Sequence, residues 1–220
     1  MRKKAVLFDL YFTLIFPDVY DEEYAPIGLT GQQWMDWCET SHMIHLLSRG
    51  AEKTQLEVAE RMAQEIPFPV EPAALLTAHR KRVSRLLRDA KPALFTVLRE
   101  LKRRGYKLGL VSNADQIDLA CWRESELARL FDGGVISCEI GTVKPDPGIY
   151  EYAMAQLGVT PEECLFVGDG GSQELPGAKA LGMETVFTEC LLVKDEDHRQ
   201  TILQSADHRI ERFEELLEFT

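Results

Sequence analysis

From Lys107 onward the chain repeats one pattern: a short apolar run, a stretch of helical length, then another apolar run. Lys107–Ser112 (K-L-G-L-V-S), Gly134–Cys138, Cys164–Gly168 and Glu184–Thr188 are the runs, with His208–Ile210 as a shorter one. Asp118–Leu130, Pro147–Leu157 and Pro176–Leu181 are the expected helices between them, and Gly158 stops the second. Runs without polar alternation suit strands buried on both faces, and parallel strands need helical crossovers. The expected fold class is α/β, a parallel sheet covered by helices on both faces.

Ala5–Asp9 reads as the first strand. The basic start, Met1-Arg2-Lys3-Lys4, has the look of a signal-peptide head. The apolar stretch behind it meets Asp9 almost at once, however, and shows no cleavage pattern. From about Phe16 to Ala90 the pattern turns helical. Trp34, Trp37, Met43, Leu46 and Leu47 recur at helix spacing, as do Leu56, Val58, Met62 and Ile66, with Pro67, Pro69 and Pro72 between the helices. After Pro92, Ala93–Arg104 reads as an amphipathic helix stopped by Gly105, and Arg212–Glu218 as a last helix. Residues 1–16 and 91–220 are therefore expected to form the core domain and 17–90 a helical insert after the first strand.

Composition narrows the partners. The net charge of −11 argues against a nucleic-acid partner, which needs a basic face. The five cysteines, Cys38, Cys121, Cys138, Cys164 and Cys190, are scattered and contain no C-x-x-C pair. That argues against a disulfide framework or zinc site and for a reducing compartment. No apolar run is long enough to span a membrane, so the expected location is the cytoplasm and the expected partner a small molecule. The histidines show no metal-ligand spacing.

Polar residues follow the apolar runs. Asp9 ends the first in F-D-L-Y-F-T-L, and Ser112 and Asn113 end another in L-V-S-N-A. Lys144 lies in V-K-P-D-P, and Asp169 and Glu174 follow Gly168 in G-D-G-G-S-Q-E. In open parallel sheets ligands bind beyond the carboxyl ends of the strands, which would gather these segments at one end. Asp9, Asp169 and Glu174 would supply the oxygen ligands that Mg²⁺ prefers. A carboxylate can also act as a nucleophile, with a lysine to offset its charge.

These four segments, in this order, make the chain resemble the haloacid dehalogenase-like hydrolases along nearly its whole length. The resemblance implies a Rossmann-like core with a cap and a covalent intermediate on the first aspartate. By it, Asp9 is the nucleophile, Thr13 supports its loop, Ser112 binds an oxygen of the transferred group, and Lys144 orients Asp9. Asp9, Asp169 and the Tyr11 carbonyl would hold Mg²⁺, with Glu174 holding metal-bound water. Tyr11 and Asn113 would meet the substrate.

Two residues depart from the family's phosphatases. Tyr11 stands where they carry the aspartate that protonates the leaving group. Its ordinary pKa of about 10 makes it a poor replacement. A tyrosine there matches the family's metal-free dehalogenases, as does Tyr150 after Lys144, where phosphatase relatives often have an aromatic too, yet those dehalogenases lack the Gly168-Asp169 pair. Phe12 stands where relatives often carry glycine. The expected function is a Mg²⁺-dependent phosphatase of a small phosphorylated metabolite. The alternatives are a metal-free 2-haloacid dehalogenase-like hydrolase and a non-catalytic binding protein. Trp34 and Trp37 read as packing residues, and Arg80, Lys81, Arg82, Arg85 and Arg88 as a solvated helix face.

Overall fold

The computed structural model describes residues 2–220. β1 (Ala5–Phe8) is fully buried, and its side chains alternate between two apolar layers: Val6 and Phe8 on one face, Ala5 and Leu7 on the other. After it come α1 (Asp21–Tyr24), α2 (Gly31–Trp37), α3 (Ser41–Leu47), α4 (Gln55–Ala63) and α5 (Pro72–Arg88), none of which adds a strand to the sheet. Then follow α6 (Pro92–Arg103), β2 (Lys107–Ser112), α7 (Gln116–Glu124), β3 (Gly133–Ile136), α8 (Pro147–Leu157), β4 (Cys164–Gly168), α9 (Glu174–Ala180), β5 (Glu184–Thr188), α10 (Glu196–Leu203) and β6 (His208–Ile210). The six strands form one parallel sheet in the order β3-β2-β1-β4-β5-β6. The fold is α/β and Rossmann-like.

β2, β4, β5, β6 and α8 run over the residues expected from sequence. Other ends shift for local reasons. Asp115 caps α7 by accepting from the N–H groups of Ile117 and Asp118 at 2.7 and 3.1 Å, so that helix starts at Gln116. It stops at Glu124 because Ser125 is extended, and only a 3₁₀ turn, Ala128–Leu130, follows. The third run likewise leaves the sheet at Ser137 in a 3₁₀ turn, and Phe213–Glu218 is 3₁₀ rather than α. Sequence reading overlooked α10, whose start carries a cap signature: Asp195 accepts from the His198 N–H at 3.1 Å, with Glu196 and Asp197 in the first turn.

The helices between β1 and α6 share an apolar cluster with one face of the sheet. Trp34, Met43, Val58 and Leu75 pack in the same layer as Val6, Phe8 and Leu110. Trp34 is buried, stacked on Tyr24 with ring centroids 4.2 Å apart, and Trp37 is partly buried. The basic run on α5 is not a uniformly solvated face. Leu75, His79, Arg82 and Leu86 fall three or four residues apart on the inward stripe, and Arg82 is only 1% exposed. Its guanidinium pairs with Glu39 and donates to the carbonyls of Asp18 and Pro17 at 3.0 Å each, so the buried charge is both neutralised and hydrogen-bonded. Lys81 and Arg88 do face outward. All five cysteines are free, and among the described residues no helix is long and apolar enough to cross a membrane.

Candidate active site

The strand order reverses at β1. The chain builds outward from β1 to β2 and β3, then returns to place β4 on β1's other side. Such a switch point leaves a crevice beyond the strand ends. β4 pairs with β1 in the register Ala5 to Cys164 through Phe8 to Val167, and the Asp9 N–H donates to the Val167 carbonyl at 3.0 Å. Asp9 and Asp169, 160 positions apart, thus leave the sheet side by side.

Asp9, Asp169 and Glu174 are all buried, and each offers one carboxylate oxygen within 4.8 Å of the others. Lys144, itself buried, reaches between two of them. Its ammonium donates to Asp9 Oδ1, and to Glu174 Oε2 at 2.6 Å. The Thr13 hydroxyl donates to Asp9 Oδ2 at 3.1 Å. Glu174 Oε1 accepts from the Gly170 N–H at 3.0 Å, and Asp169 Oδ1 from the Gly171 N–H at 3.1 Å. A Cβ at Gly168 would lie 2.0 Å from Glu174 Oε1, so any larger residue there would dislodge that carboxylate. Tyr150 stands behind the cluster and donates to the Glu174 carbonyl at 2.9 Å. Asn113 is committed to backbone: its Oδ1 accepts from the Lys144 N–H at 2.7 Å and its Nδ2 donates to the Lys144 carbonyl at 3.3 Å. It locks the second motif to the third. Ser112 is buried with its hydroxyl unpartnered among the described residues.

The charges in this cluster do not balance. Burial raises the Asp9 carboxyl above its ordinary value, and Asp169 adds to the rise against the pull of Lys144. Burial and the neighbouring Asp9 push Glu174 up strongly. Burial opposes the charge on Lys144, but Asp9 and Glu174 outweigh it and raise the ammonium above its usual range.

A cavity of about 370 Å³ opens from this cluster toward the inserted helices. Asp9, Tyr11, Asn113, Lys144, Asp169 and Glu174 line it; Thr13 and Ser112 do not. The Tyr11 hydroxyl donates to Asp118 Oδ1 at 2.6 Å. Burial and the charge of Asp118 lift the phenol well above its ordinary value. Asp118 itself is pushed up to about 6, mainly by burial, and burial raises its neighbour Asp115 as well.

Glu39, His79, Asp115, Asp118 and Lys194 also line the cavity, and sequence reading singled out none of them as site residues. Burial opposes the charge on Glu39, but Arg82, His79 and the Trp34 N–H hold it below the usual carboxylate range. Burial lowers His79 to about 4. Asp115 had a legible signal in the D-x-x-D that opens α7. Lys194 had none.

A family model for haloacid dehalogenase-like hydrolases matches residues 3–182. The glyceraldehyde 3-phosphate phosphatase of Methanopyrus kandleri is 40% identical over 100 residues, 43% of this chain and 41% of that protein. The chain spans less than half the length of the first curated relatives it matches. A dehalogenase crystal structure superposes with a TM-score of 0.72 at 24% identity, covering 99% of this chain and 97% of the other. A Bacteroides thetaiotaomicron family enzyme solved with magnesium and inorganic phosphate gives 0.67 at 20% identity, covering 89% and 98%. At these identities the structural likeness speaks for the fold. The match over most of the length carries the assignment further: the chain belongs to the haloacid dehalogenase-like hydrolases.

Proposed function

We propose that this hydrolase is a Mg²⁺-dependent phosphatase of a small phosphorylated metabolite, acting through an aspartyl-phosphate on Asp9. The observation that carries the reading is the buried trio Asp9, Asp169 and Glu174. Three carboxylates face two ammonium groups, Lys144 and Lys194, which leaves one negative charge in excess where burial already penalises charge. Oxygen donors in that number and spacing fit a hard divalent cation. Asp9, Asp169 and the Tyr11 carbonyl would hold it, with Glu174 behind. When bound, Mg²⁺ would neutralise charge on the carboxylates and on the phosphoryl group.

The rest is work for the chain's own residues. An Asp9 oxygen attacks phosphorus, the bond from phosphorus to the leaving oxygen breaks, and its electron pair departs on that oxygen. Lys144 and Thr13 hold the Asp9 carboxylate in place. The Ser112 hydroxyl, unpartnered but behind the cavity lining, would donate to a phosphoryl oxygen seated against the end of its strand. Water then attacks phosphorus, releasing inorganic phosphate and restoring the Asp9 carboxylate. Tyr11 is a poor proton donor, because its proton is held by Asp118. The reading therefore favours substrates whose leaving oxygen tolerates negative charge, such as acyl or aryl phosphates. Residues 17–90 are proposed as the cap that forms the cavity's outer wall.

Tyr11 also matches a metal-free 2-haloacid dehalogenase. Against that stands the cavity wall, where Glu39, Asp115 and Asp118 would face a haloacid's carboxylate. Arg82, whose guanidinium pairs with Glu39, is committed to it and to two carbonyls. Phosphate release from a panel of acyl, aryl and alkyl phosphates, with Mg²⁺ and with chelator, tests the proposal. Release that needs Mg²⁺ and is abolished in Asp9→Asn is expected. Halide release from 2-chloropropionate in chelator, with no phosphatase activity, would overturn it.

A further inference from the structure

Lys194 belongs to none of the four motifs, yet its ammonium lies 2.5 Å from Asp169 Oδ2. It reaches there from the loop between β5 and α10, and three features hold it. Its N–H donates to Glu189 Oε1 at 2.7 Å, and its carbonyl accepts from Arg199 at 2.9 Å. Glu189 is fully buried at its side chain and is itself gripped by Arg199 and Arg209 at 3.0 and 2.7 Å. The loop is thus braced against the end of the sheet. Third, the ammonium sits 5.6 Å from the centroid of the Phe12 ring, within cation–π range.

Phe12 gives this arrangement weight. It has φ +60°, a left-handed conformation that costs a bulky residue about 1–2 kcal/mol and a glycine almost nothing. The chain carries that strain at a position where a glycine would relieve it. The ring it places there packs edge-on against Phe16 and beside Lys194. The Phe12 ring and the braced loop both flank Lys194, whose ammonium pairs with Asp169 Oδ2.

We infer that Lys194 is a tethered cation that competes with the divalent metal ion for Asp169 and so weakens the site's affinity for Mg²⁺. The inference rests on the proposed metal site. An ammonium and a divalent cation at the same carboxylate repel each other, so Mg²⁺ binding favours moving Lys194 away from Asp169. Displacement frees the ammonium at the cavity mouth, where it can meet a phosphoryl oxygen. Lys194 is in this sense a positioning residue for the metal site.

Calorimetric titration of metal-depleted protein with MgCl₂ alone tests this, comparing wild type, Lys194→Met, Lys194→Arg and Asp169→Asn. Methionine keeps the apolar stem and removes the charge. Lys194→Met should bind Mg²⁺ about five- to tenfold more tightly than wild type, the scale expected for losing one partly buried ion pair. Lys194→Arg should restore near-wild-type affinity. Thermal melts establish that each variant is folded. Equal or weaker binding by folded Lys194→Met, with binding abolished in Asp169→Asn, would overturn the role of Lys194 and leave the metal site standing. No Mg²⁺ binding by wild type or Lys194→Met would overturn both.

Discussion

Replacing Asp118 by asparagine should stabilise the protein at neutral pH, although it removes one partner of a 2.6 Å hydrogen bond's ionic form. The Asp118 carboxyl is pushed from 3.8 to about 6, first by burial. Asp115 faces it from the helix cap, Tyr11 from the loop after β1, and Glu39 and Arg82 from the inserted helices. A carboxyl with a raised folded-state value binds its proton more tightly in the folded protein than in the unfolded chain. Its stabilising contribution is therefore present below pH 3.8 and is lost as pH rises to about 6. The loss amounts to about 3 kcal/mol. Asparagine cannot ionise, yet its side-chain carbonyl still accepts from Tyr11. What it gives up is the long 3.3 Å bond from the Asp115 N–H, worth about 1 kcal/mol. The net gain at pH 8 is about 1–2 kcal/mol, or a melting temperature about 3–6 °C higher for a chain of this size. Near pH 4 the gain should vanish, because wild-type Asp118 is then largely protonated. Calorimetric melts from pH 4 to 8 read both effects. A variant that melts no higher than wild type at pH 8, or that keeps the same gap at pH 4, would refute the account of a buried, costly charge.

Ser112→Ala should separate function from stability. Its hydroxyl is buried without a partner, so removing it should leave the melting temperature unchanged or raise it, while phosphate release falls about a hundredfold as a donor to the transferring group is lost. A large drop in stability would assign the hydroxyl a structural role instead. Arg82→Met should cost about 3–5 kcal/mol in urea denaturation by stranding Glu39, and adding Glu39→Gln should recover much of it; a small single-mutant effect would contradict the buried pair.

What was legible in the sequence was legible for physical reasons. β2, β4 and β5 are short apolar runs bounded by polar residues or glycine, and a doubly covered parallel sheet needs that pattern. The ends of α8 follow from Pro147 at its first turn and Gly158 in the left-handed conformation at its end. Asp9, Lys144, Asp169 and Glu174 could be paired in advance because each follows a strand, and the sheet order then brings strand ends together. Residues that meet through packing left weaker traces. Arg82 looked like one more charge on a basic helix, and only its spacing from Leu75 and Leu86 placed it inward. Asp118 is a helix-opening residue whose contact with Tyr11 depends on how α7 is set against the loop after β1. Lys194 is a loop lysine, and its position depends on bracing by Glu189, Arg199 and Arg209, which no local pattern encodes.

The departures from the family's pattern are connected through the cavity. Tyr11 cannot readily release its proton, since Asp118 holds it and burial resists the phenolate. A site without a ready acid has to stabilise the departing negative charge by other means, and positive charge near the transferring group is the available one. Lys194 brings an extra ammonium to the same cavity, beside Asp169, with strained Phe12 against it. The acidic lining of the cavity, with Glu39, Asp115 and Asp118, disfavours a leaving group that carries a carboxylate of its own. If the chain is the phosphatase proposed above, its substrates should carry a leaving portion that is neutral or cationic and a leaving oxygen that is already a weak base.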